Sequence, residues 1–501
     1  TSGSEPDDVT SGGTLYMAYQ FWNGLQLNIP GQGSQKVVDD PQSPFPTSAD
    51  KATNQYWKID CLTSIQNGSG EGFTATSPNG VVYTFDWLAY EDAAWVSNLD
   101  RDTAYMLATK VEDRFGNSVE YNFTGNSFTT KLASIVGKDH NGVERRRITV
   151  NYTGTKISSV VANGRTWTYD YNGDHLIEVE LPSGLTWDID LDLLVNANLR
   201  SGLYLACSNT KMNQVTGTIT HPYGAEGNYT LNEISHCRTQ VPYTFVNGAG
   251  TSGGSCIGEN VRVQRSYDTI SMTKKELKGP GLEDMTWTYT YSETQGGWTT
   301  STGVSEVNTT TVIDPEGNTT VHYFNRNYNW EEGAEEKIEY YDGATTLLRT
   351  VENSYEVGPM LGTPIPTSDN DKPARYPRSV EQQVITENGD TFTTDYEYGY
   401  GSTTHDYANC QSCYGYGRPT QIDESNSVNA FTKTTKNYLF TEQDDWMLTL
   451  PKKTMVGTET PIEYRYDTRY LVDRIWQYGV LVASRRSLTS GMLNWEKGRI
   501  Q

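Results

Sequence analysis

Large and small side chains alternate along most of this chain with a period of two, as in Val81-Val-Tyr-Thr-Phe85 and Trp287-Thr-Tyr-Thr-Tyr291. That is the pattern of half-buried β-strands, while runs with the 3.6-residue period of a helix are almost absent. Turn signals break the strands at short intervals, among them Pro78-Asn-Gly80, Asn163-Gly164, Asn172-Gly173, Pro182-Ser-Gly184 and Asn388-Gly389. Asn-Gly between two alternating runs specifies a tight hairpin, because both central residues of the turn need positive φ. The pattern therefore predicts an all-β protein of successive antiparallel hairpins that build one large sheet.

Breaks in the pattern suggest an organisation. Pro30-Gly-Gln-Gly33 and Pro41, Pro44 and Pro46 interrupt the first segment, so residues 1–55 are expected as an extended N-terminal leader lying on the main body. A β region follows over 56–130, and a repeat sheet over 131–358 with an insertion at about 205–260. Pro359, Pro364, Pro366, Pro373 and Pro377 mark a proline-rich loop at 359–377, after which the sheet resumes over 378–501. The polar start Thr1-Ser2-Gly3-Ser4 reads as a processed or trimmed end, and Gly498-Arg-Ile-Gln501 as a cut within a longer array.

Composition sharpens this picture. Only 35% of the 501 residues are apolar, yet there are 34 Tyr and 12 Trp, side chains that cover apolar surface while keeping a polar tip. They suit sheets with wet faces. The formal net charge of -23 argues against nucleic acid, whose phosphates are bound through Lys and Arg. No run of about eighteen apolar residues is present to span a bilayer as a helix. Six cysteines, an even number, favour an oxidising compartment, and a secreted or cell-surface location is expected.

Aligning the strand-turn units exposes a degenerate repeat: a Gly-containing turn, then a group of aromatic residues. Copies are Asp113-Arg-Phe-Gly-Asn117 before Tyr121 and Phe123, Asn163-Gly-Arg165 before Trp167, Tyr169 and Tyr171, and Asp314-Pro-Glu-Gly-Asn318 before Tyr323 and Phe324. Asn388-Gly389 before Tyr396 and Tyr398 is a further copy. The strings Gly164-Arg-Thr-Trp-Thr-Tyr-Asp-Tyr-Asn-Gly173 and Tyr464-Arg-Tyr-Asp-Thr-Arg-Tyr-Leu-Val-Asp-Arg-Ile475 resemble the YD repeat of RHS proteins. That family includes bacterial polymorphic toxins, insecticidal Tc toxin subunits and animal teneurins, and the resemblance covers roughly residues 55–501. It implies a spiralling sheet that forms a hollow shell, enclosing an effector in the toxins. No effector region or self-cleavage core is recognisable before Gln501. The resemblance thus implies a noncatalytic structural or interaction module of a secreted or surface bacterial protein, serving assembly, encapsulation or contact with a partner or glycan. Its partners would be further copies or other chains of the parent assembly. The shell part of a polymorphic toxin is a related alternative.

Candidate chemistry is sparse. His221, Tyr223, His236 and Arg238 are the densest group of reactive side chains. A His base, a Tyr proton donor and an Arg that neutralises a carboxylate are what β-elimination of a uronate polysaccharide requires, so a lyase is the enzymatic alternative. Structural contacts explain the same residues more simply. Zinc is a possible cofactor through His236, Cys237, Cys256, His405, Cys410 and Cys413, with disulfides, such as Cys237 to Cys256 across a Gly-rich loop, as the competing reading. Asp188, Asp190 and Asp192 fall on one face if a strand runs through them, and would suit calcium or plain solvent exposure.

Overall fold

The computed structural model describes residues 7–16, 18, 22, 24–39, 41, 49–96, 99–195, 214–241, 266–292, 297, 303–364, 376–399, 415–442, 445–487 and 493–497. Among them the only helical segments are a single turn, Asp192–Val195, and the isolated helical residue Ala18. The strands Val9–Ser11 and Thr14–Tyr16 form a small ribbon. From Gln26–Ile29 to Leu493–Lys497 the rest make one antiparallel sheet in which each strand pairs with the next in sequence. One strand leaves the row: Thr363–Pro364 pairs with Gly33–Asp39, so that Thr346–Val357 pairs directly with Arg378–Glu387. The proline segment thus brings the chain back to the start of the sheet, which closes on itself. The all-β hairpin architecture expected from the alternation is what the chain adopts.

One turn recurs. In 53–57, 77–81, 113–117, 139–143, 181–185, 221–225, 314–318 and 467–471 the first N–H donates to the fifth carbonyl and the fourth N–H to the first carbonyl. The first side chain usually accepts backbone N–H groups inside the turn, as Asp314 does from Asn318 and Asp113 from Phe115 and Asn117. Short Asx and Ser/Thr acceptors stabilise such turns locally. The fourth residue is left-handed; Gly317, at φ 85°, shows why glycine is favoured there, since a Cβ strains this backbone. The other connections include two-residue turns with positive φ at both positions, Asn163-Gly164 and Asn388-Gly389.

A second device follows from the tyrosines. Tyr152, Tyr291, Tyr355 and Tyr466 each lie three residues past the last pair of a hairpin, and each hydroxyl donates to the carbonyl two residues before the partner. The acceptors are Leu132, Met272, Glu335 and Pro451, at 3.1, 2.8, 2.8 and 2.6 Å. The tyrosine stitches shut the end of a hairpin where the ladder stops. Lysines extend the stitch: Lys131 lies 5.1 Å over the Tyr152 ring and bonds the Gly154 carbonyl, and Lys156 does the same at Tyr171 and Gly173.

Full burial is rare along the later strands, and Lys156–Ala162 and Gln421–Asn426 are half-buried at every position, so neither face there sits against a thick core. Two denser clusters lie at the beginning of the sheet. Leu27, Ile29, Val37, Trp57, Ile59 and Ala75 form one. Val38, Ala52, Tyr56, Leu361, Tyr416, Trp446 and Leu448 form the other, at the seam where late chain meets early chain. There Asn79 bridges Met447, and the Pro78 carbonyl accepts the N–H groups of Leu448 and Thr449 at 2.8 and 3.2 Å. Residues 26–53, inside the segment expected as a leader, supply three strands and much of both clusters. The alternation of Leu27 and Ile29, both buried, is short but sufficient once other strands cover it.

Candidate functional site

The strand Glu226–Cys237 separates the four candidate residues into two pairs. At about 3.3 Å per residue its ends are roughly 35 Å apart. His221 and Tyr223 lie in the turn before it, and His236 and Arg238 at its far end.

His221 occupies the first position of the recurrent turn, where Asp113, Asp139, Asp314 and Asp467 stand in other copies. Its Nδ1 accepts the Tyr223 N–H at 3.2 Å, the bond an aspartate oxygen makes elsewhere. Its ring packs edge-on against Trp187 at 4.6 Å. Tyr223 is 74% exposed at the tip.

His236 and Arg238 converge on Tyr267 instead. The imidazole stacks on that ring at 5.5 Å, and its Nε2 lies 2.9 Å from Thr269 Oγ1. The Arg238 guanidinium lies 4.6 Å from the ring, and its Nε donates to Glu332 Oε1 at 2.5 Å. Arg326, almost fully buried, donates to the carbonyls of Ser305 and Cys237. Thr239 and Asn327 form a parallel bridge, reinforced by Thr239 Oγ1 donating to Asn327 Oδ1 at 2.6 Å. Burial, and secondarily the charge of Arg238, lowers the Lys36 ammonium. Burial raises the phenols of Tyr267 and Tyr328, the latter to about 12, with Glu332 adding to both and Arg238 opposing.

The cluster thus joins distant stretches of chain, at 36, 236–239, 267–269, 305 and 326–332, through charge, stacking and backbone bonds. Its arginine already holds a carboxylate, and its phenols are held neutral. Sequence reasoning found His236 and Arg238 but missed Tyr267, Arg326, Tyr328 and Glu332, because only the fold brings them together.

Of the proposed zinc ligands, His236 and Cys237 are placed as above, while Cys256, His405, Cys410 and Cys413 lie outside the described residues. Among the described residues no three His, Cys, Asp or Glu side chains are grouped to hold a metal. The aspartate row is corrected: the strand ends at Asp190, with Asp188 and Asp190 exposed. Asp192 opens the helical turn and faces His175, whose Nδ1 is 2.8 Å from its Oδ1. Cys61 is an exposed free thiol.

This geometry defines the chain as an all-β protein built from one self-closing antiparallel sheet. No family model matches it, and no curated protein matches it. Among solved structures, it is similar to the TcdB2-TccC3 structure without the hypervariable C-terminal region, at 9% identity and a TM-score of 0.27. The match covers 88% of this chain and 22% of that one. A TcdB2-TccC3 structure is matched at 8% identity and a TM-score of 0.19, over 89% of this chain and 28% of that one. The chain spans about a quarter of the length of these proteins, and at such TM-scores the likeness carries no argument. Among the described residues no helix is long and apolar enough to cross a membrane.

Proposed function

We propose that this chain is a noncatalytic wall segment of an RHS-type β-shell, from a secreted or surface-displayed bacterial protein, serving assembly, encapsulation or contact with a partner or glycan. The observation that carries the reading is the return of the sheet onto its own first strands, through Thr363–Pro364 on Gly33–Asp39 and Met447 on Asn79. A sheet that spirals and seals along a seam is a wall; its stitched hairpins give stiffness without a thick core. The candidate catalytic residues support the same reading, since His221 completes a turn and Arg238 neutralises Glu332.

Light scattering after size-exclusion chromatography, combined with partner and glycan screens, tests it. Defined oligomers or a saturable partner are expected, and a protein inert and monomeric throughout would contradict the reading. The enzymatic alternative is checked by incubation with uronate polysaccharides. No unsaturated product is expected; product that disappears in His236→Ala would overturn the noncatalytic assignment.

A further inference from the structure

The seam that seals the sheet holds three aromatic residues in a backbone conformation that aromatic residues avoid. Tyr56, Tyr416 and Trp446 have φ of 63, 47 and 57°, and all three are buried in one cluster. Tyr56 stands at the fourth position of a recurrent turn, where Gly80 and Gly317 stand in other copies. A residue with a Cβ is strained in this left-handed conformation, which glycine adopts freely. Such strain persists where the side chain is needed, and it concentrates at ligand sites. Here the rings build a wall: Tyr56 and Tyr416 meet edge to face at 5.6 Å, and Trp446 Nε1 donates to the Tyr56 carbonyl at 3.0 Å.

Two of these rings, Tyr56 and Tyr416, line a cavity of about 410 Å³, within the range of about 300–1,000 Å³ typical of small-ligand sites. Its chemistry is unlike the rest of the chain. In a protein with 62 Asp and Glu, none of the described residues lining it is acidic. Four amide residues, Gln32, Asn54, Gln55 and Asn79, are in its lining together with Arg378 and Arg418. Arg378 is partly committed: its Nη1 bonds the carbonyls of Glu331 and Glu332 at 3.0 and 2.9 Å. Arg418, also in the lining, is exposed and makes no ion pair among the described residues.

We propose that this seam cavity binds an acidic oligosaccharide unit, a uronate-bearing disaccharide, with Arg418 engaging the carboxylate and the amides the ring hydroxyls, over a floor to which the buried Tyr56 and Tyr416 contribute. Amide and guanidinium groups match vicinal hydroxyls and carboxylates in hydrogen-bonding geometry. A phosphate dianion carries no hydrogen-bond donor and would leave the amide carbonyls unmatched, whereas sugar hydroxyls pair with both ends of each amide. The inference names the site and ligand for the glycan contact in the wall reading; its failure leaves the wall itself to be judged by the integrity of the seam.

The test is calorimetric titration of the whole chain with digalacturonate, dimannuronate and a glucuronate-containing disaccharide, beside neutral galactobiose. At least one uronate is expected to bind saturably and galactobiose at least about tenfold more weakly, the loss of one charge-assisted bond. Arg418→Ala, a change at an exposed side chain, is expected to weaken the uronate by about tenfold or more with unchanged thermal unfolding. Asn79→Ala is expected to weaken uronate and galactobiose alike. No binding by any uronate, equal binding of galactobiose, or full affinity in Arg418→Ala would each overturn the proposal.

Discussion

Tyr152, Tyr291, Tyr355 and Tyr466 work as fasteners, each hydroxyl closing the end of a hairpin. Tyr355→Phe keeps the ring and removes the bond to the Glu335 carbonyl, so a loss of about 1 kcal/mol is expected in denaturant unfolding. Burial raises the phenols of Tyr152, Tyr291, Tyr355 and Tyr466, the last to about 12. In the unfolded chain they ionise near 10. The folded state therefore holds these protons more tightly: the stability is fully present below about pH 10 and falls as pH rises towards about 12. Unfolding midpoints measured across that interval are expected to drop steeply, and a flat profile would show the phenols to be solvated. Gly317 is the matching case for the backbone. Its surroundings are open but its φ is 85°, so Gly317→Ala is expected to cost about 1–2 kcal/mol from conformation alone.

At the scale of elements, the recurrent five-residue turn accounts for much of what the sequence showed as a loose repeat. Asp113 and Asp314 with a glycine three residues on were legible, because an Asx acceptor and a left-handed position leave a signature in residue type. The copies at Thr53 and His221 were not, since another side chain makes the same bond and, at Tyr56, an aromatic residue takes the glycine position. That substitution led His221 to read as a reactive group. His221→Asp should consequently keep or slightly raise stability, by a few tenths of a kcal/mol at most in thermal unfolding, and leave any binding activity unchanged. Loss of an activity in this variant, with folding intact, would return His221 to the chemistry.

At the scale of the molecule, the alternation of side chains disclosed strands and hairpins but not their long-range closure. The contact between Pro78 and Thr449 spans 371 positions, and no local pattern encodes it. The cluster at Arg238 was hidden for the same reason, as Tyr267 and Glu332 come from separate hairpins. The seam rests on buried aromatic residues, so Trp446→Ala is expected to cost about 3–5 kcal/mol and to raise hydrogen exchange at 79–80 and 447–449 before the rest of the sheet opens.

Asn79 and Met447 face each other across the seam as an antiparallel bridge. Cα atoms so paired are about 4.5–5.5 Å apart, within disulfide range. Mild oxidation of the double variant Asn79→Cys, Met447→Cys, followed by peptide mass mapping, therefore asks directly whether the sheet returns onto itself. A sealed sheet yields a disulfide-linked peptide pair containing positions 79 and 447 in the monomer. Two unlinked thiols at these positions, in a protein that otherwise remains folded, would mean that the seam is open and that the chain is not a closed wall.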